Sequence, residues 1–160
     1  MDQKRKLLVV SSTYPYPLVS GGKIRIYNIL KALSGVYSLT LISLIEEGDH
    51  HKWYDEALSF LDQIITVPIH QNRKNQFIRL IWNAHRWFLG LPAEAIVKRS
   101  LDFRRQLERM LASETFDAVQ LEYSQMLQYL PVIKKHSLPC LAVAHDVSHI
   151  AQERKAEVSK

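Results

Sequence analysis

The sequence predicts an α/β domain in which a largely parallel sheet carries helices on both faces. Three observations predict it. Short runs rich in Val, Ile and Leu recur at Leu7 to Val10, Leu39 to Ile45, Ile64 to Val67, Ala118 to Leu121 and Leu138 to Ala144. A short apolar run bounded by turn signals reads as a buried strand of a parallel sheet. Longer polar or amphipathic segments separate the runs, which is a βαβαβ rhythm. The first run also passes through small polar residues, prolines and a glycine pair into a helical pattern, LLVVSSTYPYPLVSGGKIRIYNILKAL over residues 7–33.

Taken in order, the strands are expected at Leu7 to Ser11, Leu39 to Leu44, Ile64 to Val67, Ala118 to Leu121 and Cys140 to Ala144, as neighbours in one sheet. The first helix, Lys23 to Ser34, places Ile26, Ile29, Leu30 and Leu33 at helical spacing, with Gly35 where a C-terminal stop belongs. A second helix, His50 to Leu61, carries Trp53, Tyr54, Ala57, Leu58 and Leu61. Between Val67 and Phe116 the spacing exceeds one crossover. It holds a helix from Asn75 to Leu89, broken at Gly90 and Pro92, then a charged helix from Ser100 to Ser113. A further helix runs from Ser124 and ends before Pro139. Ser124 reads first as its N-cap. After Ala144 come His145, Asp146 and an open helical pattern with no closing strand, so the chain is expected to be a fragment of a longer protein.

The 160 residues are 47% hydrophobic, enough for one well-cored domain. A net charge of +5 and a pI near 9.4 fit phosphate groups, anionic lipid or nucleic acid, and equally an ordinary basic surface. No apolar run approaches the roughly 18 residues of a spanning helix, and the apolar run near the start is shorter than a signal peptide's. The single cysteine, Cys140, excludes an internal disulfide and suits a reducing compartment, so the cytoplasm is expected.

The loop after the first strand is the strongest site signal. Gly21 and Gly22 permit positive φ and close approach of a ligand, and the helix that follows directs free N–H groups at the loop, a favourable place for phosphate. The same pair serves equally as a turn that redirects the chain. Its position at the carboxyl end of a parallel strand favours the site. Lys23 and Arg25 are then near enough to pair with phosphate, though each also reads as a solvated charge. The spacing is neither G-x-G-x-x-G nor G-x-x-x-x-G-K-[ST], which disfavours a nicotinamide dehydrogenase and a P-loop NTPase. Two other strands finish in polar clusters at the same edge, one in Glu122, Tyr123 and Ser124, the other in His145 and Asp146. A histidine beside an aspartate there reads as an oriented donor or general base, or as a capping pair. Zinc on Cys140, His145 and His149 is disfavoured because Cys140 is expected inside a buried strand. No G-x-S-x-G supports a hydrolase.

Residues 72–89, NRKNQFIRLIWNAHRWFL, differ in character. Phe77, Ile78, Ile81, Trp82, Phe88 and Leu89 cluster on a helical wheel, opposite Arg79, Asn83 and Arg86. Arg79, Trp82, Arg86 and Phe88 would mark a helix lying in an anionic membrane interface, and a core-packing helix fits as well.

The opening VVSSTYPYPLVSGGKIRIYNILKAL, with DAVQLEYSQMLQYL and LAVAHDVSH, resembles the amino-terminal domain of glycosyltransferase family 4 enzymes of the GT-B fold. The flavour is that of bacterial exopolysaccharide-type sugar transferases. The similarity spans nearly the whole chain, and the glycine pair is its most specific part. It implies a Rossmann-like domain over residues 1–160 that mainly receives the acceptor. In such enzymes Gly21 and Gly22 would approach the donor diphosphate and His145 would contact the donor sugar. The resemblance further implies a retaining, metal-independent transfer with no cofactor. The donor would be a nucleoside-diphosphate sugar, and the acceptor a glycan or lipid-linked saccharide at the inner face of the cell membrane. The carboxyl-terminal half of these enzymes, with its E-x7-E motif, has no counterpart here. Glu46 and Glu47 end the second strand and do not replace it, so the isolated chain is expected to be inactive. The alternative is a non-catalytic flavodoxin-like binding or protein-interaction domain. Nucleic-acid binding has only net charge behind it.

Overall fold

The computed structural model of the chain describes residues 4–46, 56–69 and 100–144. They form strand β1 (Arg5–Ser11), helix α1 (Gly21–Leu33), β2 (Tyr37–Glu46), β3 (Gln63–Ile69), helix α2 (Leu101–Ser113) and β4 (Ala118–Glu122). A 3-10 helix (Ser124–Tyr129), helix α3 (Leu130–Lys134) and β5 (Cys140–Val143) complete them. The five strands form one sheet in the order β3-β2-β1-β4-β5, and every pairing is parallel. This is an α/β, Rossmann-like fold, and each expected strand is present within a few residues.

Alternate side chains of β1 serve two cores, which is why its apolar run is continuous. Leu8 and Val10 join Ile42, Leu44, Val119 and Leu121 beneath Phe103, Leu107 and Met110 of α2 and Ile133 of α3. Leu7 and Val9 join Leu39 and Leu41 beneath Ile26 and Leu30 of α1, with Tyr14, Leu58 and Leu61. α1 therefore covers one face, and α2 and α3 the other. Two aspartates extend the ladder at the amino-terminal edge. Asp117 Oδ2 accepts from Lys6 N at 2.7 Å while its own N–H donates to Lys6 O at 2.8 Å. Asp62 repeats the arrangement on Leu39, at 2.7 and 3.0 Å.

Several expectations are corrected. Cys140 is exposed rather than buried, because β5 lies at the sheet edge with only β4 beside it among the described strands. Ser124 is not a helix N-cap: it is the first residue of the 3-10 helix, Tyr123 holds the cap position, and no side chain caps this end. The expected single helix from Ser124 is instead a 3-10 turn followed by a short α-helix. Gly35 follows the last residues of α1 without a left-handed φ, since Ser34 closes the helix through its N–H to Leu30 O at 2.9 Å. Most of the expected helix from His50 and all of the segment from Asn75 to Leu89 lie outside the described residues.

Candidate functional site

The strand order reverses between β1 and β4: β2 and β3 lie to one side of this point, β4 and β5 to the other. At such a reversal the connections leave on opposite sides and a crevice opens at the carboxyl edge. The loop after β1 and the chain after β4 both border it.

The β1 loop is held by local contacts. Ser11 Oγ donates to Thr13 O at 2.7 Å and accepts from Thr13 N at 3.2 Å, bending the chain as it leaves the sheet. Tyr14 and Pro15 are buried, the Tyr16–Pro17 peptide is cis, and Val19 N donates to Pro17 O at 2.8 Å. Ser20 then caps α1, its Oγ accepting from Lys23 N at 3.4 Å, and no acidic residue occupies the first helical turn.

Gly21 and Gly22 are the first two residues of α1, and neither has a left-handed φ. The expectation of positive φ at the glycines is thus corrected. Space, not φ, explains Gly22: a Cβ there would lie 2.5 Å from the Tyr123 hydroxyl and 3.4 Å from its Cζ. At Gly21 a Cβ would meet nothing within 4 Å. Gly22 is therefore the point where the β1 side of the crevice touches the β4 side. Tyr123 itself has φ 73° and ψ 143°, a region that side chains with a Cβ rarely occupy. Its N–H donates to Val143 O at 3.0 Å, and its carbonyl accepts from Met126 N at 3.1 Å, which fixes this turn between β4 and the 3-10 helix.

Behind Tyr123, Glu122 is fully buried and accepts a hydrogen bond from Gln120 Nε2. It lies in register with Ser11, Ser11 with Ser43, and Ser43 with Thr66. Residues in register share a face of the sheet. A polar row, Thr66–Ser43–Ser11–Glu122, thus crosses four strands beneath the loop on the α1 side. Ser11, Ser43, Thr66 and Gln120 were not singled out in the sequence, although a hydroxyl residue inside or closing three of the apolar runs was the available signal.

Lys23 is partly buried, while Arg25 is exposed on the solvent side of α1 with Ile24 and Asn28. Positions two apart do not share a helix face, so the two bases serve different surroundings. Ser124 stands beside the crevice as the start of the 3-10 helix. His145 and Asp146 lie outside the described residues, as do Arg79, Trp82, Arg86 and Phe88. Among the described residues no group of three or more His, Cys, Asp or Glu could hold a metal ion, and no helix is long and apolar enough to cross a membrane. An open groove of about 390 Å³ between β3 and α2, lined by Thr66, Pro68, Arg105 and Arg109 among others, is lined by residues of neither crevice-bordering segment. What the crevice offers is binding chemistry: amide donors at a helix start, a phenol, and a floor of hydroxyls and one carboxylate.

No protein-family model matches the chain, and no curated protein matches it in sequence. Its fold is similar to the C-terminal domain of the PF1911 hydrogenase from Pyrococcus furiosus. The TM-score is 0.56 at 18% identity, covering 89% of this chain and 92% of that one. A UDP complex of TcCGT1, a UDP-glycosyltransferase, aligns with a TM-score of 0.48 at 12% identity, over 89% of this chain and 28% of that one. The first similarity is one of fold alone; the second is too distant to bear on function.

Proposed function

We propose that the chain is the acceptor-side domain of a retaining GT-B sugar transferase of the family 4 type. In this reading it works with a second, donor-binding domain. The donor is a nucleoside-diphosphate sugar, and the acceptor is a glycan or lipid-linked saccharide at the inner membrane face. The observation that carries the reading is the contact of Gly22 with Tyr123 across the strand-order reversal. It joins the two sequence segments on which the family resemblance rests, the glycine loop and the LEYS turn, into one crevice.

In this account the start of α1 faces the donor diphosphate, with amide donors at Gly21 and Gly22 and positive charge from Lys23. An anion there is favoured by the unsatisfied N–H groups and the helix dipole. Tyr123 and Ser124 border the acceptor, and Glu122 holds the polar floor beneath it. His145 and Asp146, which follow β5 in sequence, supply the oriented imidazole at the reacting sugar. No metal or cofactor is required. The test is transfer of radiolabelled sugar from UDP-, GDP- and dTDP-sugars to a lipid extract, by membranes of cells producing the full-length protein with both domains. Transfer with wild type and its loss with Gly22→Val, in protein that circular dichroism shows to be folded, support the reading. Equal transfer by that variant, or by membranes lacking the protein, contradicts it.

A further inference from the structure

On α2, Arg104 lies 3.1 Å from Glu108 and Arg105 lies 3.4 Å from Asp102, the mixed pattern of a solvated helix. The β1 loop and α1 depart from this. No Asp or Glu occurs between Ser11 and Ile45, while Lys23, Arg25 and Lys31 fall in that interval. Ile24, Arg25, Asn28 and Lys31 are all exposed, and spacings of three, four and seven place them along one side of α1. Just before α1 and in its first turn stand three of the large apolar side chains exposed to solvent: Leu18 at 40%, Val19 at 76% and Ile24 at 42%. An aliphatic tip therefore sits at the head of a basic stripe whose own stretch of chain holds no acidic residue.

We propose that this tip and stripe dock on an anionic lipid surface, with Leu18, Val19 and Ile24 entering the headgroup boundary and Arg25 and Lys31 lying against lipid phosphates. Size decides against a protein partner. A stable protein interface buries on the order of 800 Å² per partner around aromatic or arginine anchors, whereas three aliphatic tips on a loop and one helical turn offer much less. A bilayer needs only a few apolar tips with adjacent positive charge, and the two act together. Nucleic acid would find the charge but has no use for exposed aliphatics. The inference is independent of the glycosyltransferase reading and of residues 75–89. If both hold, the mouth of the crevice lies against the membrane.

The test is co-sedimentation of the full chain with vesicles of phosphatidylcholine alone or mixed equally with phosphatidylglycerol. Wild type should sediment with the mixed vesicles only, and less as salt shortens the screening length. Arg25→Glu should weaken binding at least about fivefold, the effect of losing one basic residue near such a surface. Leu18→Ser with Val19→Ser should nearly abolish it. Arg109→Glu, the same charge change on α2, should leave it unaltered. Circular dichroism confirms that each variant is folded. A Val19→Trp variant adds a direct reading, its emission shifting to the blue when mixed vesicles are added. The proposal is overturned if wild type ignores anionic vesicles, if the tip variants bind as well as wild type, or if Arg25→Glu and Arg109→Glu lose equally. An unshifted Val19→Trp emission in bound protein overturns it as well. Sugar transfer plays no part in these readouts, so the two proposals fail separately.

Discussion

Gly22 and Tyr123 constrain each other through space, and the constraint can be measured. A methyl group at residue 22 meets the Tyr123 hydroxyl at 2.5 Å, while the next ring atoms stand at 3.4 and 3.7 Å. Only the hydroxyl is in serious conflict. Gly22→Ala should destabilise the chain, despite alanine's better helix propensity, and Tyr123→Phe should remove most of that cost. In urea unfolding the cycle should show a coupling of about 1 kcal/mol; additive effects would mean the ring simply tilts away. The backbone of Tyr123 permits a second prediction. At φ 73°, ψ 143° glycine is the favoured residue. Tyr123→Gly should therefore be more stable than Tyr123→Ala by about 1 kcal/mol, the reverse of the ordinary order. If alanine proves the more stable, the turn relaxes out of this conformation.

Elements hold their ends in ways that differ in strength. Ser100 caps α2, its Oγ accepting from Phe103 N at 3.2 Å, and its own N–H donates to the Tyr129 hydroxyl at 3.0 Å, with the Phe103 and Tyr129 rings 4.9 Å apart. Ser100→Ala should cost about 1 kcal/mol. Ser20→Ala on α1 should cost less, because its bond is 3.4 Å long. Comparison of the two melting curves checks the order. At β5, desolvation raises the pKa of the Cys140 thiol although the residue is exposed at the edge. Folding then disfavours the thiolate. The associated stability is fully present below the unfolded pKa and is lost as pH rises through the folded one. At mildly alkaline pH iodoacetamide should therefore alkylate the folded chain more slowly than the urea-unfolded chain; equal rates would show that the thiol is fully hydrated.

For the molecule as a whole, burial declines from the centre of the sheet to its edge. β1 is buried from Leu7 to Ser11, whereas Cys140, Leu141 and Ala142 of β5 are exposed. Native-state hydrogen exchange should find the slowest amides in β1 and the fastest strand amides in β5; uniform protection would contradict this ranking. The architecture was legible because it rests on local composition: apolar runs such as Leu7 to Val10, with helical spacing between them, dictate a parallel sheet. The glycine pair was legible as a position but not as a reason, since the contact of Gly22 with Tyr123 spans a hundred residues and leaves no local trace. Cys140 was misread because an apolar run does not tell a central strand from an edge strand. The polar row of Thr66, Ser43, Ser11 and Glu122 depends on register, which single strands do not reveal. The account's central claim is that the crevice between β1 and β4 is the ligand site. Its most direct test is an amide chemical-shift titration of the isotopically labelled chain with octyl glucoside, a sugar on a lipid tail, below its micelle-forming concentration. The account predicts shifts at the amides of residues 20–25 and 122–124. Shifts confined to the Arg105 and Arg109 groove, or none at saturating probe, would contradict it.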